Sequence, residues 1–203
     1  MRKIEDPCRF VHFELDVKSW ANSQPGVHEA RPPVCPCCDT PAITDGRVVL
    51  QGHGQRRRQW WGLAGADGTS RHGELFLRRY RCRQCTAVLV VGPSGLLPRH
   101  RYTALAIVVA LRLWAVERQT DSETRATISP WPRGGVCRPE RWTTLRRWAA
   151  AARDGRLWPF IRGEVTWTLR QCAERAARIF AARGALDEHD PLRRLETAVA
   201  HAR

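Results

Sequence analysis

The sequence predicts an α+β protein in which a small antiparallel β zinc ribbon is followed by an all-α helix-turn-helix unit and a C-terminal amphipathic helix. Two Cys-x-x-Cys pairs, short apolar runs beside them, and helical spacing of apolar residues after residue 102 support this class. The predicted organisation is an N-terminal segment (1–33), the zinc ribbon (34–97), the helix-turn-helix unit (98–160) and a C-terminal helical segment (161–203).

The composition indicates which kind of partner the protein binds. The 203 residues carry a formal net charge of +14, which favours a polyanionic partner such as nucleic acid. Residues 46–103 hold eleven Arg against two acids, and residues 131–183 hold twelve Arg against four, so the charge follows the predicted ribbon and the later helices. A base-composition bias of the genome is the alternative source of the arginine, since only two of the 34 basic residues are Lys.

The first residues and the cysteines predict the cellular compartment of the protein. The start MRKIEDPCRF has no apolar core of a signal peptide, which predicts a reduced, cytoplasmic location for the eight cysteines. The longest apolar run, residues 104–116, is interrupted by Arg112 and spans about 20 Å, short of the ~30 Å hydrocarbon layer. We therefore expect no membrane span and, given the charge, association with the nucleoid.

The N-terminal segment mixes short apolar runs with Pro and Gly, which predicts a strand or short helix and a linker. Cys8 and His12 have a spacing compatible with metal binding, but no partner pair is visible for them.

The two cysteine pairs predict a tetrahedral Zn²⁺ site, because each pair is a tight turn that directs two thiolates to one ion. The predicted ligands are Cys35, Cys38, Cys82 and Cys85. The first pair lies in Cys-Pro-Cys-Cys, so Cys37 is an alternative to Cys38. Predicted strands cover residues 47–50, 75–81 and 87–91, and residues 62–73, rich in Gly, Asp and Ser, are expected to form a loop or hairpin insertion.

Three helices are predicted next. Apolar residues at helical spacing indicate a core helix over 103–118, and a short helix over 121–128 is expected to be capped by Asp121 or Ser122. After a break at 129–135, Pro139 suits the first turn of a basic helix over 141–153, with Trp142, Leu145, Ala149 and Ala152 on one face.

This order matches a helix-turn-helix, whose last helix lies in the DNA major groove. Arg pairs with guanine and Thr contacts the thymine methyl. The alternative is a solvated arginine face with no ligand. The predicted DNA contacts are Arg99, Arg101, Arg141, Thr143, Thr144, Arg146, Arg147 and Arg153. A last amphipathic helix over 164–182, ended by Gly184, is expected either to pack on this unit or to form a homodimer contact.

The chain resembles small bacterial transposase-like proteins that join an N-terminal zinc ribbon to a helix-turn-helix. The motifs that carry the resemblance are CPxC at 35–38, RYRCxxC at 79–85, LPxxRY at 97–102 and RWxxLRRW at 141–148. The resemblance implies zinc at the four paired cysteines, a grip on element-end DNA and a transposase or recombinase as partner.

Catalytic motifs are missing from the sequence. It holds no acidic triad on an RNase H-like pattern, no phosphate-binding loop and no Gly-x-Ser-x-Gly elbow. His72-Gly73-Glu74 before Cys82-x-x-Cys85 departs from the zinc deaminase signature, because Arg81 stands where that signature has Pro.

We therefore predict a non-enzymatic, zinc-dependent DNA-binding protein, either an accessory factor in transposon DNA recombination or a transcriptional regulator. The alternatives are a protein- or RNA-interaction module that docks a larger enzyme, and a truncated transposase remnant. Trp60 and Trp61 follow three arginines, so they either stack on unpaired bases or pack in the ribbon.

Overall fold

A computed structural model describes residues 9–63, 69–129, 131, 142–164, 166–183 and 199. It is a mixed α+β structure with a four-stranded sheet, a two-stranded hairpin and five helices in the described parts. The chain divides into two compact units, one of residues 1–60 and 73–99 and one of residues 61–72 and 100–203. Cys8, Cys137, Pro139, Arg141 and Gly184 lie outside the described residues.

The first unit begins with strand β1 (Phe10–Phe13) and helix α1 (Val17–Ser23). Asp16 caps α1, since its carboxylate accepts hydrogen bonds from the backbone N–H of Lys18 and Ser19 at 2.7 and 2.8 Å. Trp20 is fully buried, and its ring meets that of Phe13 edge to face. The N-terminal segment therefore contributes to the core of this unit.

The sheet of the first unit is mixed. Its other strands are β4 (Leu50–Leu63), β5 (Ser70–Cys82) and β6 (Val88–Pro93), and a small hairpin joins β2 (Ile43–Thr44) to β3 (Arg47–Val48). The strand order is β1-β6-β5-β4, with β5 antiparallel and β1 parallel to β6. Within residues 34–97 the pair β5–β6 is antiparallel, as predicted for the ribbon, and the N-terminal segment adds a parallel strand that was not predicted to join it.

The long β4 and β5 strands extend into the stretch predicted as a loop or a hairpin insertion. Gly62 lies in β4 and Gly73 lies in β5. The absence of a Cβ at each position lets neighbouring groups approach the strand closely. A Cβ on Gly73 would lie 3.0 Å from Nε1 of Trp60, and one on Gly62 would lie 2.5 Å from the Cβ of Ala106. Residues 64–68 lie outside the described residues.

Side chains of β5 hold the N-terminal segment on the sheet. The hydroxyl of Tyr80 donates to the carbonyl of Val27 at 2.8 Å, and Nε of Arg78 donates to that of Pro25 at 2.7 Å. Tyr80 is fully buried. Its hydrogen bond satisfies a polar group that would otherwise be costly to bury.

The second unit consists mainly of helices α2 (Ala104–Ala115), α3 (Asp121–Ile128), α4 (Thr143–Arg153) and α5 (Leu169–Arg183). Helix α2 is buried along most of its length and packs against the other three, as expected for a helix that is apolar almost all round. The hydroxyl of Thr103 caps α2 by accepting from the N–H of Ala106, and it donates to the carbonyl of Leu63 at 2.6 Å.

Helix α3 has the predicted bounds, but Thr120 caps it, not Asp121 or Ser122. Thr120 and Glu123 form a reciprocal capping box, which leaves the Asp121 carboxylate for other partners. Residues 129–142 connect α3 to α4, a longer connection than the three- or four-residue turn of a helix-turn-helix.

Helix α4 buries the predicted face, including Leu145, Ala149 and Ala152, with Trp142 directly before it. Helix α5 begins at Leu169, later than predicted, because Thr168 and Gln171 exchange capping hydrogen bonds there. It packs against α2 and α4. None of the helices in the described ranges is both long and apolar enough to span a bilayer.

Candidate metal centre and basic helical surface

The first cysteine pair lies in a compact turn before β2. The backbone N–H of Cys35 donates to the carbonyl of Thr40 at 2.9 Å, and the N–H of Asp39 donates to the carbonyl of Cys35 at 2.8 Å. Asp39 has a φ of 54°, in the left-handed region. The turn closes on itself and directs two thiols to one side.

The second pair repeats this geometry at the end of β5. The N–H of Cys82 donates to the carbonyl of Ala87 at 2.9 Å, again five residues further on. Thr86, directly after Cys85, has a φ of 61°, as Asp39 has after Cys38. The two turns are therefore equivalent knuckles, although their sequences share only the cysteines.

The knuckles bring four sulfurs together. The sulfurs of Cys35, Cys38, Cys82 and Cys85 all lie within 4.8 Å of one another. Cys35 and Cys85 are 3.7 Å apart, and Cys38 and Cys82 are 3.8 Å apart. A tetrahedral ion with Zn–S bonds of about 2.3 Å separates its sulfurs by about 3.8 Å. The four cysteines thus form a site that can hold a metal ion, and the spacing fits zinc.

Cys37 is exposed and stands outside the cluster. The backbone of Cys35 closes the turn by donating to Thr40 and accepting from Asp39. In this turn the Cys38 sulfur lies 3.8 Å from that of Cys82. Of the two candidate ligands in the first pair, the structure therefore places Cys38, and not Cys37, in the cluster.

The surroundings shift the acidity of the thiols in opposite directions. Burial raises the pKa of Cys35 to about 11 and that of Cys85 to about 12. The side chain of Thr40 is the main cause that lowers the pKa of Cys38 to about 6. Its hydroxyl oxygen lies 3.2 Å from that sulfur and stabilises a thiolate. A bound cation would favour the loss of the other thiol protons and offset the repulsion between the resulting thiolates.

The predicted DNA contacts of α4 occupy different environments. Thr143 and Arg147 are exposed, four residues apart on one face, while Thr144 is half-buried. Arg147 makes no ion pair with any described residue. Arg153 pairs with the neighbouring Asp154 at 3.2 Å.

Arg146 differs from the other predicted contacts, because it pairs with the buried carboxylate of Asp121. The same carboxylate oxygen accepts the backbone N–H of Trp142 at 3.0 Å. Asp121 therefore ties the start of α3 to the start of α4. The sequence alone does not indicate that Asp121 joins α3 to α4, since an Asp in the first turn of a helix is most simply a capping residue.

The two predicted linker contacts lie in different units. Arg99 is exposed, with a φ of 66°, near the end of the first unit. Arg101 belongs to the second unit, where its guanidinium lies 4.9 Å from the centre of the Trp61 ring.

Each unit carries excess positive charge. The described residues of the second unit include fourteen arginines and six acids. Several arginines there also cover aromatic rings, as Arg170 does over Trp114 at 4.9 Å and Arg183 over Phe160 at 3.9 Å. Part of the arginine excess thus contributes to packing.

Comparison of the chain with models of protein families, with curated proteins and with solved structures gives no match. What the protein does must therefore be inferred from its own residues.

Proposed function

We propose that the protein is a non-enzymatic, zinc-dependent DNA-binding protein in which the metal folds the first unit and α4 contacts duplex DNA. The observation that carries this proposal is the α4 surface. One face is anchored by Leu145 and Trp148, while the opposite face presents Thr143 and an unpaired Arg147 to solvent. The net charge of +14 supports a polyanionic partner.

Zinc has a structural role in this proposal. Cys35, Cys38, Cys82 and Cys85 would hold the ion with four thiolates, which leaves no open coordination position for a substrate or a reactive water. The ion supplies folding free energy by fixing the two knuckles of a ribbon. Because four thiolates would fill the coordination sphere, we assign the centre no catalytic step.

The α4 helix is suited to a groove because its orientation is fixed. Asp121 holds both the N–H of Trp142 and the guanidinium of Arg146, and α5 packs along the helix. Thr143 and Arg147 lie near its N-terminus, which is the part of a recognition helix that faces base edges. In this role α2, α3 and α4 act as a helix-turn-helix with an extended connection.

Replacing Arg147 with Gln is expected to lower duplex affinity by about five- to a hundredfold if the side chain pairs with a base. A phosphate contact would instead reduce the slope of log affinity against log salt by about one. Either effect is measured by fluorescence anisotropy with a labelled duplex over a salt series.

Arg118→Gln is the matched control. Arg118 is also exposed, and its substitution removes the same charge at a position outside α4. We expect it to retain nearly wild-type affinity and slope. Equal effects of the two substitutions would show that α4 has no special part in binding. Arg146→Gln is unsuitable for this test, since it also breaks the pair with Asp121.

The motif resemblance to transposase-like proteins favours a place beside a transposase or recombinase over a purely regulatory role. In that setting the protein would hold element-end DNA while another protein performs the strand chemistry.

A further inference from the structure

The second unit carries a group of aromatic and basic side chains that the α4 surface does not use. Trp61, His72 and Trp131, with Arg101, form what we name the aromatic platform. The Trp61 ring centre lies 6.3 Å from that of Trp131, nearly perpendicular to it, and the Trp131 ring lies 4.6 Å from His72 at a tilt of 30°. The guanidinium of Arg101 covers the Trp61 ring at 4.9 Å.

The chain just before Trp131 is tied to β5, although the Trp131 side chain is exposed. The hydroxyl of Ser70 donates to the carbonyl of Ile128 at 2.6 Å, which ties the chain before Trp131 to β5. The N–H of Trp131 bonds to the hydroxyl oxygen of Ser129 at 3.4 Å. The Trp131 side chain is 48% exposed, although it lies beside the rings of Trp61 and His72.

Two arginines lie in the platform or next to it in sequence. Arg71 and His72 lie on β5, and His100 and Arg101 precede Tyr102. The described residues of 61–72 and 100–102 contain no acid. An exposed ring that packs beside two other rings, one of them covered by a guanidinium group, is suited to stack on a base and contact its phosphate.

We propose that the aromatic platform binds an unpaired nucleobase of DNA, with Trp131 stacking on the base and Arg101 contacting the phosphate backbone. The inference rests on the proposed function, and it names a feature of the DNA that α4 would not recognise. In a duplex the faces of the bases are covered by their neighbours, so only a frayed end, a flap or an overhang can offer a base to Trp131.

The test compares a blunt duplex with the same duplex extended by a short single-stranded overhang. Wild-type protein is expected to bind the overhang DNA more tightly in fluorescence anisotropy at fixed salt. Trp131→Ala should weaken binding to the overhang DNA by about five- to a hundredfold, the range for one stacked base, and leave binding to blunt duplex within about twofold.

Two variants separate stacking from general effects. Trp131→Phe keeps a smaller aromatic ring and should retain part of the preference for the overhang. Phe76→Ala removes an aromatic side chain of the first unit that is 40% exposed, and it should leave both affinities unchanged.

The outcomes separate this inference from the proposed function. Wild-type protein that binds blunt duplex but gains nothing from the overhang would overturn the platform and leave the proposed function standing. An equal loss on both DNAs from Trp131→Ala would also overturn base stacking. Failure of the wild type to bind either DNA would overturn both.

Discussion

Replacing Cys82 with Ser is expected to abolish metal binding and unfold the first unit around its knuckles. Cys82 is fully buried at the end of β5, and its sulfur lies 3.8 Å from that of Cys38. Structural zinc contributes about 10–16 kcal/mol in small zinc domains, comparable with the ~5–15 kcal/mol that holds a whole domain folded. Metal content by elemental mass spectrometry should fall from one zinc per chain to none, and the thermal unfolding transition of the first unit should be lost.

Cys37→Ser is the matched control, because it makes the same chemical change one residue from a ligand. Cys37 is exposed and outside the cluster, so we expect this variant to keep one zinc and the wild-type melting temperature. Loss of zinc from Cys37→Ser with retention in Cys38→Ser would contradict the assignment of ligands. Full zinc in Cys82→Ser would contradict the four-thiolate centre itself.

Replacing Asp121 with Ala is expected to destabilise the second unit by about 2–4 kcal/mol. The substitution removes the acceptor of the buried Trp142 N–H and leaves the half-exposed Arg146 without its partner. The value lies below that for a fully buried ion pair, because the Arg146 side chain is 42% exposed and water can solvate it. Urea unfolding gives the change in the free energy of unfolding directly.

Glu174→Ala is the control for Asp121→Ala, since it removes an acid from an exposed pair within one helix. Glu174 pairs with Arg178 at 2.6 Å, four residues further along α5. Such pairs contribute about 0.3–0.5 kcal/mol. Similar losses in the two variants would show that Asp121 has no special role between α3 and α4. In the proposed function Asp121→Ala should also weaken DNA binding, because it frees the start of α4.

The cysteine spacing could be interpreted from sequence because the chemistry is local. Each knuckle is a short turn, so two pairs sufficed to predict that Cys35 and Cys82 come together. The choice between Cys37 and Cys38 needed the structure, since it depends on the hydrogen bonds that close the turn. The identity of the ion remains a prediction that the sulfur spacing supports.

The sheet was harder to predict because its strands depend on distant partners. β1 pairs with β6, from which it is separated by most of the first unit, and no local pattern identifies such a partner. β4 contains Gly52 and Gly54, which have low strand propensity, yet pairing with β5 keeps them extended. Tertiary pairing outweighed the local preference.

The helices were predicted well where one face is buried, as in α3 and α4, because periodicity reports burial. Charged side chains were harder to interpret. Arg146 and Arg147 are adjacent and chemically identical, yet one holds a buried carboxylate and the other faces solvent. Only the position of Asp121, 25 residues earlier, distinguishes them.

In the proposed function the zinc-loaded protein binds duplex DNA through the exposed face of α4. Competition anisotropy at several salt concentrations, with duplex DNA, structured RNA and single strands of equal length, tests it most directly. We expect duplex DNA to bind most tightly of the three, with log affinity falling linearly and steeply against log salt. Tighter binding to structured RNA, or affinity for duplex DNA that is insensitive to salt, would contradict the claim.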